Sequence, residues 1–187
     1  YLSPKFVENR YDCIQADFNF GEVKQAGRLL VASLLHKYSD ALKDENQYRN
    51  EHFDFDALVV HDDHIAYKDI KARKIVFAEG FGLRQNPYFN YLPLNGTKGE
   101  VLIIKTESIN VNEIIKSGVF IIPQDKPHHY LIGATYHRED KTWDTTEEAR
   151  EELLGKLNEF LKCDYEIVDQ LAGIRPTVKD RRPLVGQ

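Results

Sequence analysis

Two strand-length runs, residues 118–124 and 129–136, stand on either side of an Asp125-Lys126-Pro127 turn. A connection this short joins strands only as an antiparallel hairpin, because a parallel pair needs a crossover of a dozen residues or more. A sheet built on that hairpin needs helices to cover its apolar side. Two segments supply them. From Glu22 to about Lys43, Ala26, Leu30, Leu34, Tyr38 and Leu42 recur every four residues, with Val31 and Leu35 widening the stripe. The second predicted helix opens at Thr145, which makes a capping box with Glu148. It buries Ala149, Leu153, Leu154, Leu157, Phe160 and Leu161.

Further strands are expected at 53–55, 57–60, 74–78, 100–106 and 165–171. The continuous apolar run 74–78 has the character of a strand buried on both faces. Residues 61–64 read as a hairpin turn, Asn95-Gly96 as a turn, and 112–117 as one helical turn. Strands, hairpins and helices in this order give an α+β fold: a mixed, largely antiparallel sheet packed with helices.

Charge and apolar run length narrow the function classes. A net charge of -5 offers no basic field for nucleic acid or anionic lipid. The longest apolar runs, 101–104 and 119–122, have strand length, so no membrane span is expected. The first residues lack the basic, apolar and small-residue order of a signal peptide. Cys13 and Cys163 lack metal-ligand spacing, and two free thiols in a reducing cytoplasm are expected. A chain without methionine that opens on Tyr1 is expected to be part of a longer protein.

The candidate for chemistry is Arg175 in Ala172-Gly173-Ile174-Arg175-Pro176. Pro176 restricts Arg175 to extended backbone at the end of the 165–171 strand, so the guanidinium has a defined direction. Such an arginine suits two-pronged hydrogen bonding to a carboxylate or phosphate. Its plain alternative is a solvated surface arginine. His61, Asp62, Asp63 and His64 also form a cluster, but adjacent strand positions point to opposite faces and rarely share a metal. The His128-His129 pair meets the same objection, and no metal site is assigned. There is no Gly-x-Ser-x-Gly elbow and no cysteine in a catalytic setting, so no catalytic side chain is assigned either. Gly80-Phe81-Gly82 lacks the third glycine of a dinucleotide fingerprint and alone indicates only a sharp turn.

Taken in order, these segments resemble the FAD-dependent oxidases of the D-amino-acid oxidase and glycine oxidase superfamily. Residues 172–177 with Asp180, Pro183 and Gly186 resemble that family's substrate-arginine strand and loop. Residues 74–80 resemble its Ala-Thr-Gly strand near the flavin nucleotide, with Glu79 in the threonine's place. Gly99-Glu100-Val101 resembles its Gly-Gln-Val strand entry, with Lys98 and Glu100 departing from the usual arginine and glutamine. Residues 120–123 and 131–135 resemble the substrate-pocket hairpin. Phe120 there replaces a tyrosine whose hydroxyl helps hold substrate.

The resemblance implies the later part of a Rossmann-like FAD domain over 1–95, a substrate-binding domain over 96–175 and a return segment over 176–187. The Gly-rich loop is not in this sequence, so tight FAD binding is expected of the longer protein and not of this chain. The remainder of the FAD domain is then a partner. The implied activity is oxidation of an amine or amino acid by hydride transfer to flavin. Arg175 and Phe120 would meet the small-molecule amine or carboxylate substrate, and Gly80 and Gly99 the cofactor. The alternatives are a flavoprotein dehydrogenase of a hydroxy acid or polyol phosphate, a non-catalytic binding module, and a metal-dependent hydrolase built on His61 and His64.

Overall fold

The expected 125–127 hairpin forms the middle of a five-stranded antiparallel sheet in the computed structural model, which describes residues 1–186. In chain order the elements are β1 (Leu2–Val7), β2 (Phe20–Val23), α1 (Val31–Asp44), β3 (Leu58–Val60), β4 (Ile65–Tyr67), β5 (Ile70–Ala72), β6 (Leu94–Lys105), β7 (Ile115–Lys116), β8 (Phe120–Pro123), β9 (His129–Gly133), α2 (Glu147–Asn158) and β10 (Glu166–Val178). Short 3-10 helices occupy Phe55–Ala57 and Gly80–Gln85. The α+β class expected from the sequence is the observed one. The chain divides into two compact units, Tyr1–Lys5 with Gly21–Phe77, and Phe6–Phe20 with Ala78–Gln187.

The second unit carries the large sheet, in the order β10-β6-β9-β8-β7. Side chains alternate across it, so each strand sorts its residues between two faces. Leu102 and Ile104 of β6, Ile121 of β8, and Tyr130 and Ile132 of β9 point to one face. There they meet Leu153 and Leu157 of α2 together with Ile14, Phe160 and Leu161. Burying each such side chain contributes about 1.5 to 3 kcal/mol, which holds the helix against the sheet. The opposite face carries Val101, Phe120, Ile122, Leu131 and Gly133.

Helix α2 begins one residue later than the capping box predicts. Thr146, not Thr145, is the N-cap, and its hydroxyl accepts from Ala149 N–H. Its buried face includes Ala149, Leu153 and Leu157, as the periodicity requires.

Strands β6 and β10 are both longer than local sequence suggests. Asn95-Gly96 does not turn; it pairs with Thr177 and Pro176 inside the ladder. Strand β10 runs on through Gly173 and Pro176, so Arg175 lies within a strand and not beyond its end. Proline is tolerated there because β10 is an edge strand, where a missing N–H costs no ladder bond. Residues 112–117 make no helical turn, because buried Ile115 pairs with Ile121 as part of β7.

In the first unit, β3, β4 and β5 form a small antiparallel sheet, with the expected turn at 61–64. Residues 53–55 form no strand. Phe53 instead stacks on Tyr67 at 4.4 Å between ring centroids, with Phe55 and Phe77 edge-on or tilted around it. This packing also displaces the strand expected at 74–78, which has no ladder partner among the described residues and leaves Val76 86% exposed. Helix α1 starts at Val31 and not Glu22, and its apolar stripe, including Leu34 and Tyr38, is exposed. Among the described residues no helix is long and apolar enough to cross a membrane, and Cys13 and Cys163 are free thiols.

Candidate functional site

The face of the large sheet turned away from α2 holds a concavity of about 370 Å³, open to solvent. Its floor is Val101, Ile122, Leu131 and Gly133, with Phe120, Ala134, Thr135, Tyr136 and Arg175 at the sides. Gly133 lies between Val101 and Phe120 in the ladder, and a Cβ on it would stand 2.6 Å from Val101 Cγ1. A side chain at 133 would therefore displace the floor.

Arg175 lies flat across the neighbouring strand. A Cβ on Gly99 would stand 2.5 Å from Arg175 Cζ and closer still to both terminal nitrogens. Register explains the fit. Gly173 faces Gly99 and Arg175 faces Thr97, so the guanidinium reaches diagonally onto the bare Cα of Gly99. Arg175 Nη1 donates to the Thr135 carbonyl at 3.4 Å, and Cζ lies 6.0 Å from the Tyr136 ring centroid. Among the described residues no carboxylate pairs with it.

Tyr136 reaches this face through an irregularity in the sheet. Val101 pairs with Gly133 and Lys98 with His137. Gly99 and Glu100 on one strand therefore oppose Ala134, Thr135 and Tyr136 on the other. One extra residue is a β-bulge, a device that re-aims side chains. Thr135 turns inward, 1% exposed, and its hydroxyl accepts from Glu100 N–H at 2.9 Å. Tyr136 turns outward, 55% exposed, beside Arg175. Hydrogen bonding with Thr97, and then the positive charge of Arg138 and Arg181, hold its phenol below the ordinary range. Tyr136 has no sequence signature as a site residue, since strict alternation through 129–136 would place it on the same face as Ile132, and a bulge is invisible to periodicity.

Behind Gly99 the sheet buries two charges on the α2 side. Lys98 is 0% exposed and donates to Asp140 Oδ2 at 2.5 Å and Thr142 Oγ1 at 3.1 Å. Glu100 accepts from Thr146 N–H, the Thr146 hydroxyl and Gln170 Nε2 at 2.8 to 2.9 Å, with Lys98 Nζ 3.5 Å away. Burial pushes the Glu100 carboxyl up, but these hydrogen bonds and the Lys98 charge outweigh it and hold it low. Burial likewise opposes the Lys98 charge, yet Asp140 and Glu100 leave its pKa raised. Lys98 in turn holds the Asp140 carboxyl far below the ordinary range.

Of the four site residues expected from the sequence, Arg175 and Phe120 line the concavity, and Gly99 lies under the Arg175 guanidinium. Gly80 does neither. It has left-handed backbone (φ +57°) and faces Pro176, whose side chain lies on the opposite side of β10 from Arg175. The His61 and His64 rings stack at 4.2 Å, and His64 Nδ1 lies 2.6 Å from Asp63. Among the described residues no group of three His, Cys, Asp or Glu could hold a metal ion. Chemically the concavity offers one guanidinium, without a carboxylate partner among the described residues, and one phenol over an apolar floor. Such an arrangement can hold an anion at the guanidinium and an apolar group on the floor.

Over 103 residues the chain is 26% identical to the tRNA 5-methylaminomethyl-2-thiouridine biosynthesis bifunctional protein MnmC of Idiomarina loihiensis, covering 52% of this chain and 17% of that protein. Glycine oxidase from Geobacillus kaustophilus superposes with a TM-score of 0.55 at 22% identity, over 66% of this chain and 35% of that one. Iminodiacetate oxidase from Chelativorans sp. BNC1 does so with a TM-score of 0.61 at 17% identity, over 83% and 45%. The chain thus spans less than half the length of each of these relatives. Residues 24–187, most of the chain, match the family described as FAD dependent oxidoreductase. The chain belongs to the DAO family of FAD-dependent oxidoreductases.

Proposed function

We propose that this chain forms the substrate-binding portion of an enzyme that oxidises an amine or amino acid by hydride transfer to flavin. The observation that carries the reading is the Arg175 guanidinium, without a carboxylate partner among the described residues and seated on Gly99 beside an apolar floor. A guanidinium held this way takes a carboxylate bidentately and so fixes the rest of the molecule over that floor. Orientation of this kind supplies much of an enzyme's rate enhancement. Phe120 forms a wall of the same pocket and gives the substrate an apolar contact.

The residues present fit the substrate-facing side of an FAD site: apolar floor, open mouth and one fixed cation. Bound FAD would supply the acceptor for the hydride of the amine-bearing carbon, and the imine product would be hydrolysed by water. Gly80, with its left-handed backbone, is the proposed contact on the nucleotide side; Gly99 contributes through the guanidinium it seats. Among the described residues no acid-base pair lines the pocket, which suits a reaction whose redox work belongs to the cofactor. In this reading residues 1–95 are the later FAD domain, 96–175 the substrate domain and 176–187 the return segment. The remainder of the FAD domain and a small amine or carboxylate are the partners, and the protein is cytoplasmic.

The test is kinetic, on the full-length protein. Arg175→Ala should raise KM and lower kcat for amines that carry a carboxylate, and leave amines without one unchanged. Equal loss on both classes, or no loss on either, overturns the role of Arg175.

A further inference from the structure

Apart from the pocket, we propose that Cys13 and Cys163 form a reversible disulfide site, with a hydroperoxide as the oxidant. Both are free and half-buried, and both pack against the core that α2 covers. Ile14 and Leu161, near them in the chain, make an antiparallel bridge. It is closed by Lys162 N–H donating to the Cys13 carbonyl at 2.7 Å and Gln15 N–H donating to the Phe160 carbonyl at 2.8 Å. Cys13 thus lies opposite Lys162 and diagonal to Cys163. With strands about 4.8 Å apart and a rise of about 3.3 Å per residue, diagonal neighbours have Cα atoms about 6 Å apart, inside the range a disulfide spans. The chain turns at Cys13 and bends at Cys163, so both side chains reach the same core in place of alternating about it.

The two thiols have different parts. Thr106 Oγ1 lies 3.9 Å from Cys163 Sγ and has given its own hydrogen to the Asp164 carbonyl at 2.7 Å, so the thiol is the donor between them. Burial also pushes the Cys163 thiol up, and the neighbouring Cys13 adds to the rise. Cys163 therefore keeps its proton, and Cys13 is the attacking sulfur. The Cys13 thiolate attacks the peroxide: an S–O bond forms, the O–O bond breaks, and the departing hydroxide takes the proton that Cys13 gave up. The Cys163 sulfur then attacks the sulfenic acid: the S–S bond forms, the S–O bond breaks, and the second hydroxide leaves with the Cys163 proton as water. The two sulfurs lose two electrons, and hydrogen peroxide, gaining them, becomes two waters. A dithiol reverses the bond by exchange. The crosslink fastens the segment between β1 and β2, whose Ile14 is buried in the core, to the stretch that follows α2.

Peptide mapping of the full-length protein tests this without relying on turnover. The reduced protein is treated with hydrogen peroxide, alkylated and digested without reductant. The peptides holding Cys13 and Cys163 should appear joined, about 2 Da lighter than their reduced sum, and dithiothreitol should restore them as two. Cys163→Ser should leave a sulfenic acid on Cys13 that dimedone captures, whereas Cys13→Ser should leave Cys163 largely unlabelled. If both cysteines are recovered as separate alkylated peptides, or as sulfinic acids, the site is overturned. If the linkage forms in urea but not in the native protein, the fold holds the thiols apart and the proposal fails. If dimedone labels Cys163 in Cys13→Ser faster than Cys13 in Cys163→Ser, the parts assigned to the two thiols are overturned.

Discussion

Gly99 and Arg175 occupy one site: the guanidinium of the second fills the space that a side chain on the first would need. The two belong to neighbouring antiparallel strands, 76 positions apart in sequence, and are brought together by the Gly173–Gly99 register. A backbone position with no function of its own thereby sets where a cation can stand.

Gly99→Ala should separate stability from binding. The clashing atoms are the far end of a flexible side chain, so Arg175 can swing outward at small cost, within about 1 kcal/mol. Thermal unfolding should move little. Binding of acetate to the full-length protein should weaken about as much as in Arg175→Ala. Full retention of acetate binding in Gly99→Ala would show that the seat is not required.

Lys98 counters two carboxylates, and one of them, Glu100, is fully buried beside the N-terminus of α2. Lys98→Met keeps the apolar stem but leaves Glu100 charged and without its cation. Breaking a buried pair from one side costs about 3 kcal/mol or more. Urea unfolding of the variant should show that loss, and the double variant Lys98→Met with Glu100→Gln should recover part of it.

The same cluster sets a pH window. Glu100 and Asp140 have carboxyls held below their ordinary values, so their contribution is complete above pH of about 4 and is lost as pH falls through the depressed values. The Lys98 pKa is raised, so its contribution is complete below pH of about 10.4 and is lost only above the raised value. Stability should therefore be level between about pH 5 and 9 and fall on acidification. In Glu100→Gln the acid limb should be shallower, read from melting temperature against pH.

Thr146→Ala removes both the cap of α2 and a hydrogen-bond donor to Glu100. The expected cost is about 1 to 2 kcal/mol. Thr145→Ala, one residue earlier, should change stability by less than about 0.5 kcal/mol. Equal effects at the two positions would place the helix start elsewhere.

Much of the architecture could be read from local patterns because its causes are local. The hairpin across 125–127 follows from two apolar runs and a turn that cannot be spanned otherwise. The buried stripe of α2, Ala149, Leu153 and Leu157, follows from helical periodicity. Arg175 was recognisable as an anion-binding candidate from Pro176, although the expected strand end before it was not there. Where the reading failed, a distant partner decided. Asn95-Gly96 looks like a turn until Pro176 and Thr177 of an edge strand arrive to pair with it. Residues 74–78 look like a buried strand, yet Phe77 joins an aromatic cluster with Phe53 and Phe55 in place of a ladder.

The sequence by itself determined the α+β class, the central hairpin, the second helix and the arginine, since periodicity, turn chemistry and a proline's restriction act over a few residues. Only the tertiary structure decided that Arg175 lies on Gly99, that a bulge turns Tyr136 toward it, and that Lys98 and Glu100 are buried behind them. Those relations depend on strand register. Register is set by the summed fit of two whole strands, and no short stretch of either contains it.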